Sequence, residues 1–375
     1  MIPYLILIFV PLLFSFVAST AVLKEYHGKW SLSVGINRNI QKNSLLIPVF
    51  FIIFFIILAL RDESIGIDVK QYKIHFDSIS HMELEEVFQR EGDLLYNLLC
   101  WVVSLFTQNY RIFLIIVAGI ILVPIAKLYS EDREFGFLKI IMFMILPVFV
   151  MIFSGLRQAI AFSVGTIVYK YVREKKIFKV LLFSFIALGF HHSAFIIFLF
   201  YPLYHISFKK KHLWFVIPAI VLVFVFNEPI FLWLTELAST IFSEDYSAEI
   251  TETNAYAMLI LFILLAIFSY IVIDEKGADK ETLGLRNFLL FSVLLQCFAP
   301  IHTLAMRMNY YYILFMPILI PKVIKNSKYY FNEVGYLANG VLSLFFLVYY
   351  LIKTYESCMT GISSLGTYPY VPFWQ

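Results

Sequence analysis

The feature that most constrains this chain is a series of apolar runs, each about 15 to 20 residues long, separated by short charged or turn-forming stretches. A helix rises about 1.5 Å per residue and satisfies its own backbone hydrogen bonds. Runs of this length therefore cover much or all of a hydrocarbon core about 30 Å thick. Composition agrees: 61% of residues are hydrophobic, 15% are charged and the mean hydropathy is +0.82, far from the balance of soluble domains. The sequence predicts an all-α chain, a polytopic transmembrane helical bundle forming a single integral membrane domain over residues 1–375. A net charge of +3 is mild. Basic residues beside spans report orientation, so nucleic acid is not expected as a partner.

Clear spans fall near Pro3–Leu23, Ser44–Leu60, Tyr110–Leu128, Leu138–Ser154 and Arg157–Val172. Further candidates are Ile177–Phe190, His192–Ser207, Leu213–Asn227, Asn254–Ile273, Asn287–Ile301, Met308–Pro321 and Gly335–Ile352, giving about twelve in all. The first run resembles a signal peptide but lacks a basic n-region and a small-x-small cleavage site, so it reads as a retained span. Lys and Arg favour the cytoplasmic side of short loops. The basic stretches Lys24–Lys42, Lys170–Lys179, Lys209–Lys211, Lys276–Arg286 and Lys322–Lys328 are accordingly placed inside, which puts both termini outside. Leu94–Phe106 is too short to cross and would invert this parity, so it is expected to be re-entrant or interfacial.

Two acidic stretches are expected outside. Residues 61–93 carry nine Asp or Glu against four Lys or Arg, and residues 228–253 carry six acids and no Lys or Arg. For the second, a plain solvated surface is a sufficient explanation. The first is different, because it opens with Arg61, Asp62, Gly66, Asp68 and Tyr72 in RDESIGIDVKQY. A guanidinium fork suits phosphate or carboxylate, and the aspartates can orient hydroxyls or accept a proton. An interfacial loop with Arg61 snorkelling is the competing explanation.

Arg157 and Gln158 interrupt the apolar stretch FSGLRQAIAF, and Arg307 does the same in HTLAMRMNYYY. A cation without a sequence-adjacent carboxylate is expensive to desolvate and calls for an anion. The alternatives are an intramolecular pair with a distant Asp or Glu, or snorkelling to head groups. On the orientation above, all three arginines and the histidine pair of FHHSAF lie at the same outer face. His191 or His192 can act as a base or bind phosphate, whereas a Ser193–histidine nucleophile needs an orienting acid that sequence does not reveal. A helix-junction histidine bonded to backbone is the bland alternative. The two neighbours diverge by about 100° on a helix and are not expected to share a metal. Most of the 40 Phe and 24 Tyr are packing, while Tyr72, Tyr310, Tyr311 and Tyr312 are placed to contact a sugar. Cys100, Cys297 and Cys358 have no metal-ligand spacing, and the chain has no nucleotide-binding fingerprint. No metal and no cofactor is therefore expected.

At these residues the chain resembles the EpsG family of bacterial polysaccharide-assembly membrane proteins, related in role to Wzy-type polymerases. The resemblance is nearly full length and rests on five blocks: Arg61-x4-Gly66-x-Asp68-x3-Tyr72, Leu156-Arg157-Gln158-x2-Ala161, Phe190-His191-x-Ser193-Ala194, Arg307 with Tyr310 and Tyr311, and Tyr368-Pro369-Tyr370. It implies a polymerase, a glycosyltransferase joining undecaprenyl-pyrophosphate-linked oligosaccharide units outside the bacterial cytoplasmic membrane, for capsule, exopolysaccharide or O-antigen. Donor and acceptor are both lipid-linked oligosaccharide, and membrane lipid, a chain-length regulator and a flippase of the same pathway are the implied partners. On this reading Arg157 and Arg307 stabilise the departing pyrophosphate, Arg61 binds the second pyrophosphate or assists with the first, and Asp68 or His191 orients or deprotonates the acceptor hydroxyl. Arg61, Asp62, Gly66, Tyr72, Gln158, Ser193, Tyr310 and Tyr311 then bind substrate. A flippase or exporter of the same lipid-linked sugar, or a membrane O-acyltransferase using His191, would share part of this pattern.

Overall fold

The computed structural model describes all residues except 21, 27–28, 34–44, 133, 243–254, 328–332 and 362–364. Part of the basic stretch Lys24–Lys42, the end of the second acidic stretch and Lys328 therefore lie outside the described residues. In chain order the helices are α1 (Ile2–Thr20), α2 (Leu46–Ala59), α3 (Val69–Ile79), α4 (Leu84–Gln89), α5 (Leu94–Ser104), α6 (Tyr110–Ser130), α7 (Gly136–Ile145), α8 (Pro147–Ser154) and α9 (Leu156–Arg173). They continue as α10 (Ile177–Phe190), α11 (Phe200–His205), α12 (Leu213–Val225), α13 (Asn227–Phe242), α14 (Tyr256–Val272), α15 (Lys280–Gln296), α16 (Thr303–Ile313), α17 (Met316–Lys325) and α18 (Glu333–Thr360). The strands Val22–Tyr26 and Lys29–Ser33, β1 and β2, pair antiparallel, so the last two residues of the predicted span Pro3–Leu23 and the start of the basic stretch Lys24–Lys42 are in strands.

By length and composition, two described helices can cross a membrane, Tyr110–Ser130 and Val334–Thr360, and up to four if each of two bent pairs counts as one span. One bent pair is α7 and α8, where the run Leu138–Ser154 turns by 63°. The break falls at Pro147, the first residue of α8, whose ring fixes φ and removes an N–H donor. The other pair bends by 81° between α12 and α13. Thus residues 228–242 of the second acidic stretch are helical. The acidic stretch 61–93 likewise holds two helices, α3 and α4. The short apolar segment Leu94–Phe106 folds as α5, about 16 Å long at the helical rise.

The chain forms two compact units. The first comprises Met1–Lys170, Leu181–Phe195 and Leu337–Gln375, the second Tyr171–Val180 and Ile196–Tyr336. Aromatic rings fill the first unit's core: Phe54 of α2 stacks on Phe149 of α8 at 5.0 Å between centroids, with Phe143 and Phe153 against the same ring. In the second unit Phe200, Phe288, Tyr312 and Phe315 form a comparable knot. Cys100 and Cys297 are buried and unbridged, as small apolar groups. By contrast α12 buries none of its side chains. Trp214, Ile217, Val221 and Leu222 are all exposed, an apolar surface that suits lipid and not water.

Candidate functional site

The site is assembled in the first unit around Asp93, which directly precedes α5. Its backbone carbonyl accepts from Tyr96 and Asn97 and so starts the helix, but its side chain makes no cap hydrogen bond. The carboxylate reaches other chain segments instead. Oδ2 is 2.9 Å from Arg157 Nη1 and 3.3 Å from His191 Nδ1, and Oδ1 is 3.5 Å from His192 Nε2.

Local sequence puts each partner in place. Gly155 separates α8 from α9, so Arg157 and Gln158 occupy the first turn of α9, which holds no acidic residue. A cation there opposes the helix macrodipole, while an anion beside it is favoured by both the dipole and the guanidinium. Gly189 allows α10 to lie against α5: a β-carbon at this position would meet Leu95 at 2.7 Å. His191 and His192 then emerge at the end of α10 beside Asp93.

Exposure is graded across the cluster. The Asp93 side chain is 4% exposed, His191 25% and Arg157 38%. Burial by itself raises the Asp93 carboxyl pKa. The hydrogen bond and charge from His191, with the charges of Arg157 and His192, outweigh burial and hold it below the ordinary carboxylate range. An ionised carboxylate only accepts, so His191 Nδ1 is the donor to Asp93, and in the neutral ring Nε2 is the nitrogen that can accept a proton. Arg157 Nε is buried without a hydrogen-bond partner among the described residues. Its guanidinium also faces the ring of Tyr72 at 5.7 Å.

Other predicted residues fall close by in sequence or contact. Gln158 Nε2 donates to Ser193 Oγ at 3.3 Å, tying the arginine block to the histidine block. Asp68 Oδ2 accepts from Ser154 Oγ at 2.9 Å, next to the α8–α9 break. Gly66 has φ +98°, and a β-carbon there would stand 2.3 Å from the Phe153 carbonyl oxygen. Asp62 accepts from the Ser64 N–H at 2.9 Å, a local turn bond. Arg61 is buried and lines a different cavity. Arg307, Tyr310 and Tyr311 belong to the second unit, where both tyrosines are buried.

Of the three explanations open for Arg157, an anionic ligand, an intramolecular carboxylate or snorkelling, the structure supplies the second and leaves more than a third of the side chain open. Asp93 itself was missed by sequence reasoning, counted only as one acid among nine. The available signal was its position: an acid immediately before the short apolar helix LLYNLLCWVVS. Among the described residues, no group of three His, Cys, Asp or Glu is arranged to hold a metal ion.

The EpsG family model matches residues 44–371, a stretch containing every residue of this cluster. The chain belongs to the EpsG family. This is a family of Wzy-like exopolysaccharide polymerases, and membership ties the chain to polysaccharide synthesis. No curated protein and no solved structure matched the chain.

Proposed function

We propose that this EpsG-family chain joins oligosaccharide units carried on undecaprenyl pyrophosphate, at the outer face of the bacterial cytoplasmic membrane. About twelve spans with both termini outside complete the proposed topology. The observation that carries the reading is the shared carboxylate: Asp93 holds a cation, Arg157, and a base, His191, within one hydrogen-bonded group. Transfer of a glycan from its lipid carrier needs both. The bond from the anomeric carbon to the pyrophosphate oxygen breaks, and a bond from that carbon to an acceptor hydroxyl oxygen forms. The hydroxyl proton passes to His191 Nε2, with Asp93 fixing the ring and balancing the imidazolium. The departing pyrophosphate gathers negative charge, which Arg157 and the α9 N-terminus stabilise.

Asp68 is the weaker candidate for the base, because its carboxylate already accepts from Ser154. Tyr72, Gln158 and Ser193 line the cluster as substrate contacts. Arg307 is a separate candidate for phosphate in the second unit, and Arg307→Ala with an unchanged glycan ladder would remove it. No nucleotide sugar enters this reaction, which agrees with a chain lacking nucleotide-binding motifs.

The test is reconstitution with a lipid-linked repeat unit and gel separation of the glycans. A ladder is expected from the native chain and none from Arg157→Ala or His191→Ala. A full ladder from both variants, in folded protein, removes the proposed roles. Cysteines placed at 157 and labelled by an impermeant reagent only from the cytoplasm would overturn the outward-facing site.

A further inference from the structure

Arg61 presents a different problem from Arg157. It is 1% exposed, yet Nε and Nη1 have no hydrogen-bond partner among the described residues. An arginine stays charged at any physiological pH. Among the described residues aromatic groups lie against it: the ring of Phe153 is 5.9 Å away, and Tyr4, Tyr110 and Tyr370 are close by. The hydroxyls of these tyrosines already donate to the carbonyls of Thr367, Val69 and Ile57. A buried cation with two unmade donors is among the costliest arrangements a fold can keep.

Beside it opens a cavity of about 190 Å³, lined by Arg61, Glu63, Lys73, Asp77, Asn109 and Arg111 among others. Arg111 repeats the pattern: Nη1 is buried without a partner, and its guanidinium is held against the ring of Phe373 at 3.5 Å. Glu63 is occupied by Lys73 at 2.8 Å, and Asp77 is exposed. None of Asp93, Arg157 or His191 lines this cavity.

We propose that the cavity is a phosphate-binding site, in which Arg61 and Arg111 donate paired N–H groups and Lys73 adds a charge at the rim. Guanidinium groups with free donors select acceptor-only groups, and phosphate oxygens match the fork. A neutral sugar would satisfy the donors but leave the buried charge uncompensated. The volume equals about six waters at roughly 30 Å³ each, room for a phosphate and its first substituent. The C-terminal segment closes one wall: the Asp62 N–H donates to the Val371 carbonyl and the Phe373 N–H to the Leu60 carbonyl. Phosphate could arrive free in solution or as a lipid head group, and both present the same oxygens.

Thermal unfolding of the full chain distinguishes these sources. One arm uses detergent-solubilised protein with inorganic phosphate against chloride at equal ionic strength. The other uses phosphatidylcholine nanodiscs with and without phosphatidic acid. A rise in midpoint is expected in at least one arm. Response to inorganic phosphate marks a soluble ligand, and response to phosphatidic acid alone marks a head group. Arg61→Met and Arg111→Gln should each weaken the apparent affinity at least tenfold. Arg61→Met should unfold at or above the native temperature without phosphate, because it removes an uncompensated buried charge. Arg111→Gln keeps the test valid if Arg61→Met fails to fold. No response in either arm, or a native response in either folded variant, overturns the site. Arg157→Ala should keep the response even where it abolishes the glycan ladder, so the two readings fail independently.

Discussion

Asp93 and His191, 98 residues apart in the chain, meet with a carboxylate oxygen 3.3 Å from the imidazole Nδ1. An acid that is almost fully buried thus backs a histidine that is partly open, the arrangement in which Nδ1 donates to the acid and Nε2 of the neutral ring can accept a proton. Asp93→Asn should lower polymer synthesis roughly 10²-fold or more. His191→Gln should do the same, and the double variant should be little worse than either single one, since two groups acting as a unit are non-additive. Initial rates of ladder formation check this. Losses that multiply would separate the two residues into independent roles.

Arg157 offers Asp93 one nitrogen at 2.9 Å and keeps 38% of its side chain open. If its free edge grips pyrophosphate, Arg157→Lys should retain charge but lose the fork, with activity between those of the native chain and Arg157→Ala. Native activity in the lysine variant would mean that a point charge suffices.

Gly66 sets the turn between Arg61 and α3. Its φ is +98°, and an added β-carbon would stand 2.3 Å from the Phe153 carbonyl oxygen, so Gly66→Ala is both strained and obstructed. The substitution should cost about 2 kcal/mol or more, seen as a lower unfolding midpoint. An unchanged midpoint would show that the loop relaxes freely.

Asp279 caps α15 by accepting from the Thr282 N–H at 2.7 Å, so Asp279→Ala should cost about 1 to 2 kcal/mol. Burial raises its pKa, but the hydrogen bonds from Thr282 and Asn326 and the charge of Lys322 prevail and lower it. A depressed folded value means that the contribution is fully present above the unfolded pKa near about 3.9. It is lost as pH falls through the folded value. The difference in midpoint between native and Asp279→Ala protein should therefore be constant near neutrality and shrink in acid. A difference that grows in acid would contradict the assigned cause.

Much of the site could be read from single residues that apolar sequence cannot explain. Arg157, His191, Gln158 and Ser193 stood out because each breaks a hydrophobic run, and the fold joins them through Asp93 and through the Gln158–Ser193 bond. Asp93 did not stand out, because an acid in an acidic loop has no anomaly to announce. Arg111 was hidden for a similar reason, at the start of a predicted span where a basic residue is ordinary. Helix breaks were only partly legible: Pro147 turns one predicted span into two helices, and Gly155 marks where α9 begins.

By itself the sequence determined the helical character of the chain, its apolar surfaces and the short list of polar residues that lipid would not tolerate. These follow from composition and periodicity, which act on each segment separately. Tertiary structure alone decided the pairings: that the Asp93 side chain leaves α5 uncapped to hold Arg157 and His191, and that Arg61 is buried with Nε and Nη1 unpartnered among the described residues. Such choices depend on which distant segments pack together, and a carboxylate or guanidinium is satisfied by geometry that no local pattern encodes.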